Sequence, residues 1–328
     1  MNAPAPKRLS KFKREPKAVA DKKLTARSLE AIKAVARYRF LPTSLLVRLI
    51  EGNEDVTHRH LQRLFHKGLI NRFAFPKLGG SSEFNYYLDN PKALRLIVEQ
   101  GLANEDDLDY EGVRRNREKA YHRAHESADA AGRTLFLQHE IMISRFHFMV
   151  EMGCKQSEGQ IQLAAWRQGP ELHSSVTDLD TGEVLPHRPD AFFSLHFPNE
   201  QEGQNRSNFF YEADRRTTSI PKMVKKFKAH LEFIRQKQHQ ERYGIRRIRA
   251  VLIETLDTKW AQELRQASMP ICPVPLFWFS ASEIFTANKP KAYGNGIRNV
   301  PLFLMQPEIV LKKVWATTDD NSVVGLAD

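Results

Sequence analysis

The sequence predicts a two-domain chain of the α/β (α+β) class, and three observations carry that expectation. Residues 24–101 show short amphipathic helical patterns followed by a hairpin pattern. Residues 134–316 alternate apolar strand-like runs with helical stretches, the pattern of a sheet covered by helices. Residues 102–133 are polar and charged, and a chain of 328 residues has length enough for two cores on either side of such a connector.

Composition and charge narrow the class. A hydrophobic fraction of 41% with 20 phenylalanines fits globular structure rather than disorder. No apolar run reaches bilayer length, and the basic N-terminus has no apolar signal region, so a cytoplasmic protein with no membrane partner is expected. Cys154 and Cys272 are too few for a disulfide framework or a cysteine zinc site, and read as small buried hydrophobes. The net charge of +11 is unevenly placed. Residues 1–23 hold Lys7, Arg8, Lys11, Lys13, Arg14, Lys17, Lys22 and Lys23 against Glu15 and Asp21, and a second excess lies between Arg215 and Arg249. Basic patches bind polyanions by releasing counterions, which makes nucleic acid the expected partner; a merely solubilising tail is the alternative. With Pro4, Pro6 and Pro16 and no helical period, residues 1–23 read as a disordered basic arm.

In the first domain, Leu29, Ile32, Ala36 and Phe40 predict a helix from about Ala26 to Tyr38. Pro42-Thr43 restarts the chain, and Leu45, Leu46, Leu49 and Ile50 mark a second helix that Gly52-Asn53 breaks. Leu61, Leu64 and Phe65 give a third helix from about Val56 to Lys67, capped by Gly68. A strand from Leu69 through Phe75, a turn at Gly79-Gly80-Ser81 and a return strand from Phe84 to Leu88 complete the order of a winged helix-turn-helix. The third helix of that fold enters the major groove. Its outward positions read as His58, Arg59, His60, Gln62, Arg63, His66 and Lys67 with no acid among them. Arg59, Gln62, Arg63, His66 and Lys67 are the candidate DNA contacts, with Lys77 on the wing for phosphate. A winged helix used only for protein contacts is the alternative. His58 and His60 are two apart on a helix and cannot share one metal ion.

Pro91 to Gln100 reads as a closing helix and Asn104 to Gly112 as an acidic loop. Arg114 to Arg133 lacks an apolar face and reads as an exposed helical connector with a hinge near Ala131-Gly132.

The second domain opens with an apolar helix from Leu135 to Met152, interrupted by His139 and Glu140. A strand near Gln160 to Trp166 and a polar loop through Thr181-Gly182 lead to Pro189-Asp190. Ala191 to Phe197, the turn 198–207 and Asn208 to Asp214 then form a hairpin. Pairing about that turn sets Asp190 opposite the region just beyond Glu212, while Glu212 and Asp214, two apart on a strand, share a face. Three carboxylates meeting there suit Mg2+ or Mn2+ and metal-assisted attack on a phosphodiester. A helix follows from Ser219-Ile220-Pro221, with Ile220, Met223, Val224, Phe227, Leu231 and Ile234 as its apolar stripe. Lys222 falls in its first turn, where the dipole disfavours a cation unless it meets carboxylates or phosphate. Lys226, one turn on, is the substitute, and Lys225, Lys228 and Lys237 read as solvated. Tyr211 points to the opposite strand face from Glu212, so it is not assigned as a nucleophile. A strand from Ile248 to Glu254, a helix from Thr258 to Ala267 and a strand from Leu276 to Phe279 complete a restriction-endonuclease-like layer, with residues 317–328 as a flexible tail. The alternative is an ordinary α/β domain whose acids pair with Arg188, Arg215 and Arg216.

The order of a winged helix, His139-Glu140 on an apolar helix, Arg188-Pro189-Asp190, and Glu212-Ala213-Asp214-Arg215-Arg216-Thr217 resembles the replication-relaxation family, which includes the MOB-C type plasmid relaxases. The resemblance runs from about Leu24 to Trp315 and implies a PD-(D/E)XK fold in the second domain. It implies Asp190, Glu212 and Asp214 as ligands of Mg2+ or Mn2+, Lys222 as the residue that positions water or phosphate, Glu140 as a peripheral ligand and His139 as an orienting group. Nucleases of the PD-(D/E)XK class usually carry lysine two residues after the strand glutamate, where this chain has Asp214, so the lysine is sought on the following helix. The family implies a bacterial plasmid or mobile-element protein that binds double-stranded DNA and nicks one strand at an origin during mobilisation, conjugation or DNA replication, with relaxosome or replication proteins as partners. A non-catalytic replication accessory protein or transcriptional regulator with a degenerate nuclease fold is the competing reading, and an RNA-directed partner is a third. A winged helix reading a palindrome would favour a dimer.

Overall fold

A computed structural model describes residues 12–14, 24–75, 82–105, 108–125, 130–272, 274–293, 296–319 and 322–328. The chain divides into two compact units, residues 1–144 and 145–328.

The N-terminal unit contains α1 (Ala26–Tyr38), β1 (Leu41–Pro42), α2 (Thr43–Leu49), α3 (Glu54–His66), β2 (Ile70–Phe73), β3 (Asn85–Leu88), α4 (Lys92–Glu99) and α5 (Tyr110–His125). The following helix, α6 (Ala130–Gln156), gives residues to both units. Three strands pair antiparallel in the order β1-β3-β2. At two residues, β1 is too short for any alternating pattern to reveal it in the sequence. Leu29, Ile32, Val35, Leu61, Leu64 and Phe65 meet in the core, and Phe40, Phe73, Tyr87 and Leu137 form a second apolar cluster.

Several expectations for this unit change. α3 begins at Glu54, because the Asn53 side chain accepts from the backbone N–H groups of Asp55 and Val56 and caps the helix. Glu54 and Asp55 therefore occupy its first turn, where the dipole favours them, and the helix is not free of acids. His60 does not face outward: it is 8% exposed, its Nδ1 lies 2.9 Å from Ser28 Oγ, and burial lowers its pKa. The arm is anchored at Arg14, which pairs with Asp89 at 2.8 Å and donates to the carbonyl oxygen of Phe65 at 3.0 Å. Apart from residues 12–14 the arm, and Lys77 with the wing turn, lie outside the described residues. The expected hinge at Ala131-Gly132 is helical, inside α6.

The C-terminal unit continues with β4 (Gln162–Arg167), β5 (Ser174–Thr177), β6 (Val184–His187), β7 (Ala191–His196), β8 (Arg206–Ala213), α7 (Ile220–Arg235), α8 (Gln238–Tyr243), β9 (Ala250–Thr255), α9 (Thr258–Ser268) and β10 (Phe277–Ala281). It ends with α10 (Ser282–Thr286), β11 (Asn288–Tyr293), β12 (Gly296–Pro301), α11 (Leu302–Met305), β13 (Trp315–Ala316) and β14 (Val323–Val324). A mixed seven-stranded sheet runs β14-β13-β10-β9-β8-β7-β4. β8, β9 and β10 are mutually parallel, linked by helical crossovers through α7 and α9, so their carboxyl ends share one end of the sheet. The polar stretch through Thr181-Gly182 is not a plain loop but the turn of the β5–β6 hairpin. The expected flexible tail supplies β14, and Leu326 is fully buried.

Each sheet face has its own core. Phe192, Phe210, Phe227, Phe233, Val251, Ile253, Leu264 and Phe277 join one face to α7 and α9. On the other, Phe146 of α6 stacks on Tyr211 with ring centroids 3.9 Å apart. That face also buries Glu254 completely, and Tyr211 and Ser282 hydroxyls each donate to it at 2.7 Å while Arg145 pairs with it. Arg145→Ala leaves this buried carboxylate without its counter-charge and is expected to cost about 3–5 kcal/mol in chemical denaturation. Adding Glu254→Gln to that variant is expected to restore part of the loss, since the residual charge is then removed.

Candidate active site at the carboxyl end of the sheet

Ala191 pairs with Tyr211 across the β7–β8 ladder, which sets Asp190 level with Glu212 rather than beyond it. The Asp190 N–H donates to the Tyr211 carbonyl at 3.1 Å, and the Ala213 N–H donates to Asp190 Oδ2 at 2.8 Å. Phe210 faces the α7 layer, so Glu212, two residues on, projects to the same side. It reaches there only 2% exposed.

α7 meets it with two side chains. Lys226 Nζ lies 2.7 Å from Glu212 Oε2, and His230 Nε2 lies 2.8 Å from Oε1. Four residues apart, Lys226 and His230 stand one helical turn from each other on one face. Behind them, His187 Nε2 lies 3.1 Å from His230 Nδ1, and the His187 ring stacks on Phe233 at 4.0 Å. Because an ionised carboxylate only accepts, His230 must carry its hydrogen on Nε2. A pocket of about 100 Å³ opens over Glu212, Lys226 and His230, with Arg188 exposed on its wall.

Burial works to lower the pKa of Lys226, but Glu212, then Asp190 and Asp214, outweigh it and hold the ammonium above its ordinary value. Burial, with His230, Arg242 and His173 adding to it, pushes His187 down to about 2, so that ring is neutral. Asp214 differs. It lies one residue past β8, is 5% exposed, and receives the Trp260 indole N–H on Oδ2 at 2.5 Å. Burial raises its carboxyl pKa.

The structure thus brings Asp190, Glu212 and Lys226 together and sends Asp214 toward α9. Lys222 is exposed in the first turn of α7 and makes no ion pair with a carboxylate among the described residues. Lys225 pairs with Glu183 at 2.6 Å and Lys228 with Asp178 at 3.4 Å. Arg216 pairs with Asp257 at 3.3 Å. His139 and Glu140 are half-buried in the part of α6 that belongs to the N-terminal unit. On α3, Arg59 and Gln62 are exposed, while Arg63 and His66, with Lys67 just after the helix, are half-buried. His230 and His187 were not foreseen. The four-residue interval from Lys226 signals His230, whereas His187 becomes visible only once the β5–β6 hairpin is recognised.

Among the described residues, no group of three or more His, Cys, Asp or Glu side chains is placed to hold a metal ion. The donor chemistry of two carboxylates still fits one. Mg2+ is commonly held by one or two carboxylates, with water and phosphate oxygens completing its shell. Each Glu212 oxygen accepts one bond and retains a second lone pair, and Asp190 is only half-buried. Asp190 and Glu212 therefore fit such an ion, while Asp214 is committed to Trp260.

Residues 32–247 match the family model described as replication-relaxation, a span that includes Asp190, Glu212, Asp214, Lys226 and His230. No curated protein and no solved structure matches the chain.

The buried imidazole generates a pH prediction. His187 titrates near the ordinary 6.5 when unfolded and at about 2 when folded, so below 6.5 the unfolded chain binds the extra proton and stability falls as pH falls. His187→Gln keeps a donor for His230 and removes the titrating ring. Denaturation between about pH 6 and pH 4 is expected to show a slope shallower than wild type by about 1.4 kcal/mol per pH unit, the value for one proton.

Proposed function

The chain belongs to the replication-relaxation family, and from that premise we propose that it is a DNA-binding protein of a bacterial plasmid or mobile element that nicks one strand at an origin. The observation that carries this reading is the convergence of Asp190, Glu212 and Lys226 at the carboxyl end of the sheet. Open α/β sheets bind their ligands in that position. Acids at one end of a helix-flanked mixed sheet support a restriction-endonuclease-like, PD-(D/E)XK assignment for the C-terminal unit. Three helices followed by an antiparallel hairpin support a winged helix-turn-helix in the N-terminal unit, with Arg59, Gln62 and Arg63 toward the duplex.

In this mechanism Asp190 and Glu212 would hold a divalent cation, Mg2+ or Mn2+, which would supply an activated water and charge stabilisation at the scissile phosphate. Lys226, kept cationic by the surrounding carboxylates and with a side chain 40% exposed, orients a phosphate oxygen at the pocket mouth. Arg188, exposed on the same pocket, adds a second positive group. His230 fixes the Glu212 rotamer, and Phe233 against His187 keeps the imidazole pair in place. Relaxosome or replication proteins, and a second copy on a palindromic site, are the partners this role calls for.

A second reading has its own observation. Both Glu212 oxygens are engaged by Lys226 and His230, and Asp214 is bonded to Trp260, which also suits a nuclease-like scaffold in a DNA-binding replication accessory protein that does not cut.

The deciding experiment incubates full-length protein with supercoiled plasmid carrying its native flanking DNA, in Mn2+, Mg2+ or EDTA. Wild type is expected to yield open circles only with metal. Asp190→Ala and Glu212→Ala are expected to abolish nicking, Lys226→Ala to slow it about 10²–10³-fold, as for loss of an electrostatic stabiliser, and Lys222→Ala to leave it intact. Absence of nicking by wild type, with DNA binding preserved in every protein, selects the accessory reading.

A further inference from the structure

Beyond β10 the chain builds a feature that the site does not use. α10 leaves the carboxyl end of β10, and β11 and β12 then form an isolated two-stranded ribbon outside the main sheet. The Leu302 N–H donates to the Ala287 carbonyl at 2.9 Å, closing its base. β10 runs parallel to β9, and β9 to β8, so the ribbon is rooted at the end of the sheet where Glu212 lies. It also falls outside residues 32–247, the stretch matched by the family.

Register divides the ribbon into two unlike faces. Lys289 and Lys291 are two apart on β11 and share a face, and Arg298 pairs directly across from Lys291, which puts all three cations on one side. Pro290, Ala292, Ile297 and Asn299 form the other side, which carries no charge. No acid occurs between Glu283 and Glu308. Lys289 and Arg298 are exposed, and Lys291 is partly so. The spacing of cations along a narrow ribbon matches a polyanion rather than a small ligand, and the major groove is wide enough to admit a two-stranded ribbon.

We propose that the β11–β12 ribbon is a second DNA-contacting element, in which Lys289, Lys291 and Arg298 grip the phosphate backbone of the duplex beside the carboxylate site. The proposal rests on the reading that the chain works on DNA, and adds a contact made by the C-terminal unit itself. A ribbon at the sheet end would hold the backbone next to Glu212 and Lys226 independently of α3. Its contacts are to phosphate, so they set position and salt sensitivity, not sequence.

The test is a salt titration of full-length protein binding to a fluorescent duplex of about thirty base pairs, roughly three helical turns. Lys289→Ala/Lys291→Ala/Arg298→Ala is expected to weaken binding for every sequence and to make the slope of log K against log salt shallower by about three, one per phosphate contact. A control triple, Lys155→Ala/Lys225→Ala/Lys312→Ala, removes three exposed cations elsewhere in the same unit and is expected to leave the slope near wild type. Wild-type binding with an unchanged slope in the ribbon variant overturns the proposal alone, and assigns the ribbon to a protein partner. An equal loss in both triples also overturns it, because general charge then accounts for the effect. Absence of DNA binding by wild type overturns the DNA reading and the ribbon with it.

Discussion

An ionised carboxylate at 2% exposure inside an aromatic core is the constraint around which the C-terminal unit is organised. Removing a charge from water costs several kcal/mol unless partners replace the lost hydration. Glu212 obtains those partners from a single helix, since Lys226 and His230 stand one turn apart on α7. The need to reach both carboxylate oxygens fixes the rotation and height of α7 over β8 more tightly than apolar packing alone, because apolar packing is not directional. His230 in turn requires an acceptor or donor on its other nitrogen, and His187 at the end of β6 provides it. The small β5–β6 hairpin is thereby tied to the site it backs.

The same problem is solved a second time on the opposite face. Glu254, fully buried on β9, is satisfied by Arg145 from α6 together with Tyr211 and Ser282. Two buried glutamates near the carboxyl ends of adjacent parallel strands thus tie α7 to one face of the sheet and α6 to the other. Tyr211 belongs to the second network, stacked on Phe146 and bonded to Glu254, which keeps it on the opposite sheet face from Glu212 and out of reach as a nucleophile there.

Much of this was legible in the sequence wherever a local pattern reports a local structure. The helical stripe of Leu29 and Ile32 marks α1, while Phe40, counted in the same stripe, falls past its end at Tyr38; the Pro189-Asp190 and Glu212 segments mark a hairpin, because strand alternation and turn chemistry are short-range signals. Features set at long range were hidden. His60 lies among exposed-looking residues of α3, and only the position of Ser28, 32 residues earlier, turns it inward. Asp214 shares a strand parity with Glu212, but the Trp260 indole, 46 residues on, draws its carboxyl to α9. The choice between Lys222 and Lys226 depended on how far α7 advances before passing over Glu212, which follows from helix docking rather than from the lysine spacing. β14 carries two valines and was read as tail, since a two-residue edge strand has no period to detect.

The origin of the lysine explains why the site joins two functions that are separable in principle. A lysine on the strand, two residues past the glutamate, would be positioned by the sheet itself. Here Asp214 holds that place, and the ammonium comes from α7. The Lys226–Glu212 pair therefore forms only when α7 is docked, so folding and assembly of the charged centre are the same event. The pair is also asymmetric, with the glutamate side chain 3% exposed and the lysine side chain 40%. A buried anion fixes the position of the pair, while the solvent-facing cation has donors left to meet a phosphate in the proposed mechanism. If the lysine shared its donors with an anion, Glu212 would still keep the His230 hydrogen bond on its other oxygen. In the proposed mechanism that division of labour within three side chains would serve phosphate binding whether or not cleavage follows, and would leave the holding of a cation to Asp190 and Glu212.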